Sequence, residues 1–71
     1  MKILSEQTET GVQRIKNVRG PEALRLLEMG LTPGSKVEVL RAAPTGFPIE
    51  VRVRGYNLSL RKSEAECIEL E

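Results

Sequence analysis

The sequence has 71 residues and a formal net charge of +1 at pH 7, which is the size of one small domain. One cysteine, Cys67, and no histidine exclude a disulfide framework and the usual zinc sites. No stretch approaches the roughly 20 apolar residues that a membrane-spanning helix needs. We therefore expect a soluble, cytoplasmic protein with a single domain over residues 1–71, and a loosely held lead-in over residues 1–10.

The first predicted strand runs from Val12 to Arg19, and its apolar residues are Val12, Ile15 and Val18. Their spacing is not a clean alternation, which predicts a bulge or bend in this strand. A short helix should follow, because Pro21 suits the first helical position and Gly30 suits the residue that ends a helix.

Four residues of this helix form one apolar arc that should pack against the rest of the domain: Ala23, Leu24, Leu26 and Leu27. Met29 lies outside the arc. It either tucks under the turn at the end of the helix, as a flexible side chain that fills an irregular gap, or stays exposed as a contact for a partner.

After a turn at Thr32–Ser35, three segments alternate apolar and polar residues with a period of two, which is typical of half-buried antiparallel strands. Their apolar residues are Val37 and Val39; Ile49, Val51 and Val53; and Leu58 and Leu60. A single helical turn over Lys62–Glu66 and a last short strand with Ile68 and Leu70 complete the chain. The fold class is mainly β: a small five-stranded SH3-like barrel with a short helix inserted after the first strand. Open edges of such a sheet also allow self-association.

The residues for catalysis are missing from this sequence. Without histidine or aspartate, neither a Ser–His nor a Cys–His pair can form, and no glycine-rich phosphate loop is present. Glu64 and Glu66 should lie in an exposed turn, where carboxylates make poor acid–base catalysts. We predict a protein that is not an enzyme and has no cofactor. For a metal, the residues offer at most a weak surface site built from glutamates.

The remaining candidates are surfaces for a partner. Arg52 and Arg54, together with Arg41 and Arg61, could form a basic patch, or they could be balanced across the sheet by Glu38 and Glu50. Nucleic acid is the less favoured partner, because the chain offers only two aromatic residues as stacking platforms. Phe47 lies at a hairpin tip, where it either folds back over the sheet edge or stands exposed as an anchor. The candidate partner-binding residues are Phe47, Met29, Arg52 and Arg54.

The order of these features resembles the FeoA family, small cytoplasmic proteins of bacterial and archaeal ferrous iron uptake. The helix and turn read LRLLEMGLTPG, and the following hairpins read VEVLRAAPTGFPIEVRVRGYNLSLRKSEAECIEL. The resemblance covers about residues 12–70 and rests on these positions: Leu27, Gly30, Leu31, Pro33, Gly34, Val37, Pro44, Gly46, Pro48, Ile49, Gly55, Leu60, Arg61, Ala65 and Ile68.

This resemblance implies an SH3-like barrel and an accessory or regulatory role, through contact with the cytoplasmic part of a membrane-bound, GTP-hydrolysing ferrous iron transporter. Many family members have an aspartate where this chain has Phe47. The loss of that acid weakens any metal or polar contact at this position and favours an apolar one. A related barrel forms the C-terminal domain of metal-dependent repressors similar to the diphtheria toxin repressor. A stand-alone, metal-linked regulatory domain is therefore the alternative function, and a basic nucleic-acid-binding barrel is the third.

Overall fold

The computed structural model describes residues 2–6 and 10–71, and these form one antiparallel sheet of six strands with two short helices. In chain order the elements are β1 (Lys2–Ile3), a 3₁₀ turn (Leu4–Glu6), β2 (Gly11–Val18), α1 (Ala23–Glu28), β3 (Lys36–Ala42), β4 (Ile49–Val53), β5 (Tyr56–Leu60), α2 (Lys62–Ala65) and β6 (Ile68–Leu70). The strand order is β1-β6-β2-β3-β4-β5. The predicted mainly β fold is confirmed.

β2 bends the sheet, because its two halves pair with different neighbours. Residues Gly11–Arg14 pair with β3, whereas the half that starts at Ile15 pairs with β6. The register shifts between Ile15 and Asn17, so the bulge predicted for this strand is confirmed. A bulge increases local twist, which lets one strand serve both halves of the sheet and wrap it around a single core.

The N-terminal segment differs from the prediction. Lys2 pairs with Leu70 and Ile3 with Glu69, while the Leu4 side chain is fully buried. The expected loosely held lead-in is therefore wrong for these residues, and the sheet has six strands instead of five. A two-residue strand carries no periodicity, and it is held by pairing with the other end of the chain. Residues 1 and 7–9 of the predicted lead-in lie outside the described residues.

α1 ends with a left-handed cap at Gly30, as the sequence predicts. Gly30 has φ +95°, its N–H donates to the Leu27 oxygen, and the Leu31 N–H donates to the Leu26 oxygen. This pair of bonds is the Schellman motif, in which the left-handed residue is usually glycine. Leu26 and Leu31 are both fully buried, so the motif also joins the helix end to the core. The helix begins at Ala23 and not at Pro21, which lies in the preceding turn.

The predicted apolar arc of α1 is wrong at Leu24. Within the helix only Leu26 is fully buried, Ala23 and Leu27 are half-buried, and Leu24 is 71% exposed. At about 100° per residue, Leu24 lies about 160° around the helix axis from Leu26. Because six residues make fewer than two turns, the helix rests on the sheet along one narrow side. Leu24 therefore remains an exposed apolar side chain.

The core fills the space inside the bent sheet and is built by inward residues of the strands together with single residues of the helices and turns. Its members among the described residues are Leu4, Ile15, Val18, Leu26, Leu31, Val37, Val39, Ile49, Val51, Val53, Leu60, Ala65, Cys67, Ile68 and Leu70. The predicted period-two strands are confirmed by the inward positions of β3, β4 and β5. The hairpin turns lie outside this core, where their polar groups can make hydrogen bonds.

Candidate functional site

The hairpin that joins β4 to β5 is attached to the end of α1. Its two-residue turn, Arg54-Gly55, has positive φ at both positions, +51° and +86°, as a type I′ turn requires. Arg54 donates from Nε to the Gly30 oxygen and from Nη2 to Thr32 Oγ1, at 3.3 Å each. Tyr56 donates its hydroxyl proton to the Met29 oxygen. The hairpin thus satisfies backbone carbonyls that the end of a helix leaves free.

This attachment requires a glycine at position 30. A Cβ at Gly30 would lie 3.0 Å from Arg54 Cδ and 3.3 Å from the Tyr56 hydroxyl oxygen. Gly30 therefore permits both the positive φ and the close approach of the hairpin. The left-handed φ of Arg54 is uncommon for a residue with a side chain, and its two hydrogen bonds hold it there.

Arg54, Met29 and Tyr56 are brought together by these contacts, which the sequence did not indicate. Met29 is half-buried and packs against the core, so its side chain tucks under the turn, and its backbone oxygen meets the hairpin. Arg52 lies on the outer face of β4, where its Nε donates to Asn57 Oδ1 at 3.2 Å. Three of the four predicted partner-binding residues therefore lie at this end of the sheet.

Phe47 lies at the other end of β4. The strand between Phe47 and Arg54 has five residues, which span roughly 17 Å. The Phe47 side chain is half-buried and packs against the core, so it folds back over the sheet. A shallow groove beside it is lined by Arg41, Ala42, Ala43, Pro44, Pro48 and Glu50. The structure does not bring Phe47 together with the other three candidates.

The arginines of the predicted basic patch are engaged by neighbours. Arg41 makes two hydrogen bonds to the Glu50 carboxylate, at 3.1 and 3.2 Å, and bonding to this carboxylate raises the pKa of the Arg41 guanidinium above its usual value. Arg52 Nη1 lies 4.0 Å from Glu38 Oε1. The predicted balance by Glu38 and Glu50 is confirmed for Arg52 and Arg41, whereas Arg54 contacts Gly30 and Thr32 and Arg61 pairs with Glu64. This pairing weakens the case for a nucleic-acid surface.

Two glutamates, Glu64 and Glu69, are buried, which the sequence did not indicate. Glu64, which the sequence predicts in an exposed turn, is only 2% exposed, and its Oε1 accepts the Arg61 backbone N–H at 2.8 Å. Arg25 of α1 approaches its other carboxylate oxygen at 3.7 Å. Glu69, 4% exposed, accepts from Arg19 at 3.2 Å. The capping-box pattern, Ser or Thr followed three residues later by Glu, fits Ser63 and Glu66 and not Arg61 and Glu64, so no local pattern marks the role of Glu64.

Neither metal ligands nor membrane spans emerge from the described part of the chain. Over residues 2–6 and 10–71, no three His, Cys, Asp or Glu side chains converge as a metal site would need. No helix within these ranges is long and apolar enough to cross a membrane. Cys67 is buried, and its thiol lies 3.4 Å from the Ser63 oxygen, as expected for a small core residue.

Comparison with known proteins identifies close relatives. A fusion of Fe(2+) transport protein A with the Fe(2+) transporter FeoB, from Porphyromonas gingivalis, is 42% identical over 53 residues. These residues are 75% of this chain and 6% of the fusion protein, so the chain spans a small part of that relative's length.

Two solved structures extend the comparison. An FeoA-like protein from Clostridium acetobutylicum has a TM-score of 0.90 and 33% identity, covering 99% of this chain and 84% of its own. Stenotrophomonas maltophilia FeoA complexed with zinc, an SH3 domain protein, has a TM-score of 0.84 and 28% identity, covering 100% and 91%. The predicted SH3-like fold is thereby confirmed. The FeoA domain family matches residues 2–71, and this chain belongs to that family.

Proposed function

We propose that this chain is a non-catalytic accessory protein of ferrous iron transport that binds the cytoplasmic part of an FeoB-type transporter. The observation that carries the proposal is the fusion in the Porphyromonas gingivalis relative, where the same kind of domain is linked to an Fe(2+) transporter. Linking two domains in one chain raises the effective concentration of each for the other. A separate chain with the same domain would need a surface that binds the transporter.

We propose that this surface is the hairpin–helix surface, formed by Leu24, Met29, Arg52, Arg54 and Tyr56. Leu24 and Tyr56 are two of the three large apolar residues that are exposed within the described ranges, at 71% and 45%. Leu24 precedes Met29 by five residues, which is about 8 Å along a helix and about 140° around its axis, so we place Leu24 at the margin of this surface. Tyrosine and arginine are enriched at interface positions that contribute most to binding; Arg54 lies in the hairpin turn and Tyr56 directly follows it. Phe47 is left out, because it packs on the core at the far end of β4.

The proposal is tested by calorimetric titration of the full chain with the soluble GTP-hydrolysing domain of the transporter, with and without nucleotide. Leu24→Ala should weaken binding by about fivefold or more, since the loss of an exposed apolar contact worth about 1 kcal/mol changes an affinity by a factor of about five. Val12→Ala is the matched control, because Val12 is also an exposed apolar residue, at 62%, but lies on β2. Its affinity should equal that of the wild type.

Two results would contradict the proposal at different levels. Absence of binding in every nucleotide state would rule out this domain of the transporter as the partner. If Val12→Ala weakens binding and Leu24→Ala does not, the contact lies on the outer face of the sheet and not on the hairpin–helix surface. Affinity should fall as salt increases, because Arg52 and Arg54 contribute exposed charges.

A further inference from the structure

β5 forms one edge of the sheet, and it is the longer of the two edges. The strand order places β1, with two residues, at one edge and β5, with five residues, at the other. Among the described residues β5 pairs with β4 alone. An edge strand presents a row of backbone donors and acceptors that can pair with another extended segment.

The register of the hairpin identifies the backbone groups that face outward. Val53 and Tyr56 flank a two-residue turn and pair with each other, so they exchange both backbone hydrogen bonds. Hydrogen-bonded pairs alternate with non-hydrogen-bonded pairs along an antiparallel ladder. The pairs Arg52–Asn57 and Glu50–Ser59 are therefore of the second kind. The N–H and C=O groups of Asn57 and Ser59 point away from β4, toward the open edge.

β5 lacks the features that usually protect an edge. Lysine, proline and bulges are common at such positions because they prevent pairing with other chains. The sequence of β5, Tyr56–Leu60, contains no charged residue and no proline, and its register with β4 is continuous over all five pairs. By contrast, the short edge strand β1 carries Lys2. β5 is therefore a regular and accessible strand for pairing.

The charges around β5 indicate the chemistry of the segment that would pair with it. Residues 51–63 contain four basic residues and no acidic one; the basic residues are Arg52, Arg54, Arg61 and Lys62. Two of them are ion-paired, because Arg52 lies 4.0 Å from Glu38 and Arg61 lies 3.8 Å from Glu64. Arg54 bonds only to uncharged oxygens, so its positive charge is not neutralised by these bonds. Glu50, the nearest acidic residue on β4, is bonded to Arg41. A second copy of β5 would bring the same positive charges to the same edge, which opposes self-pairing. An acidic segment complements this edge.

We propose that the β5 edge accepts an extended, acidic segment of the transporter's cytoplasmic part as an additional strand. The segment would bond to the outward N–H and C=O groups of Asn57 and Ser59, while Arg54 and Lys62 attract its carboxylates. This inference rests on the proposed function, and it specifies how the contact next to the hairpin–helix surface is made.

Amide hydrogen exchange of the full chain, followed by NMR with and without the transporter's GTP-hydrolysing domain, tests the inference directly. In the free protein the amides of Leu58 and Leu60, which face β4, should be protected, and those of Asn57 and Ser59 should exchange rapidly. Addition of the domain should slow exchange at Asn57 and Ser59 by tenfold or more. If the domain binds but exchange at both amides stays rapid, strand addition is overturned and the proposed function stands. Absence of binding would overturn both.

A proline substitution gives an independent test, because Ser59→Pro removes an N–H that the sheet does not use. The variant should bind the transporter domain at least tenfold more weakly, with the Leu58 amide still protected. Ser59→Thr is the matched control, since it keeps the N–H and should bind as the wild type does. Equal affinities of the two variants would contradict the inference.

The same exchange experiment distinguishes a second copy of this chain from the transporter. Protection of Asn57 and Ser59 that rises with protein concentration, without the transporter domain, would assign the edge to self-association and overturn the proposal. We expect exchange at these two amides to be independent of concentration in the free protein.

Discussion

Arg54 and Gly30 are joined by a hydrogen bond of 3.3 Å from the arginine Nε to the glycine oxygen, across 24 residues of sequence. The bond links the β4–β5 hairpin to the end of α1, and the absence of a side chain at Gly30 makes the approach possible. The shape of the proposed partner surface therefore depends on Gly30, which contributes no side chain to that surface.

Gly30→Ala should destabilise the protein more than Gly34→Ala does. Both glycines have positive φ, +95° and +88°, so both variants incur backbone strain of about 1–2 kcal/mol. Only at Gly30 would the new methyl meet Arg54 and Tyr56, since nothing lies within 4 Å of a Cβ at Gly34. The added loss should be about 0.5–1.5 kcal/mol, as for weakened hydrogen bonds. Urea unfolding measures both, and equal losses would contradict the role assigned to Gly30.

Leu26→Ala should reduce the free energy of unfolding by about 2–5 kcal/mol, because it empties a fully buried site. Leu24→Ala, in the same helix, should change it by less than about 0.5 kcal/mol, because Leu24 is exposed. Thermal or urea unfolding of the two variants checks the orientation of α1. Similar losses at the two positions would show that the helix packs differently.

Phe47→Ala should reduce stability by about 1–3 kcal/mol, less than the loss for a fully buried phenylalanine, because the ring is half-buried against the core. The variant should bind the transporter domain as the wild type does, since Phe47 lies far from the hairpin–helix surface. Unfolding and titration of the same sample provide the two measurements. If the variant is as stable as the wild type but no longer binds, Phe47 is an exposed binding residue and not part of the core.

Glu64→Ala should destabilise the protein by about 1–3 kcal/mol, because it removes the acceptor of the Arg61 N–H at a buried position. Glu64→Gln should cost less, since its amide oxygen can still accept that bond. Glu66→Ala is the control, because Glu66 is exposed in the same turn and should be nearly neutral. If all three variants unfold alike, Glu64 does not cap α2.

The local features of the fold were predictable from the sequence. Strands β3, β4 and β5 follow an alternation of period two, and that alternation arises from the geometry of each strand alone. The end of α1 at Gly30 and the turn at Pro33-Gly34 depend on backbone conformations that particular residues favour. Each of these signals lies within a few residues of the structure that it predicts.

Tertiary structure decided the features that depend on residues far apart in the chain. Pairing with β6 makes Lys2–Ile3 a strand, and contact with the sheet decides that Leu26 is buried while Leu24 is not. Docking of the hairpin on the helix brings Arg54 and Tyr56 to Met29 and Gly30. Local sequence specified the strand period, the end of α1 and the turns, because these depend on neighbouring residues. Burial and the composition of the surface depend on which segments meet, and only the folded chain brings those segments together.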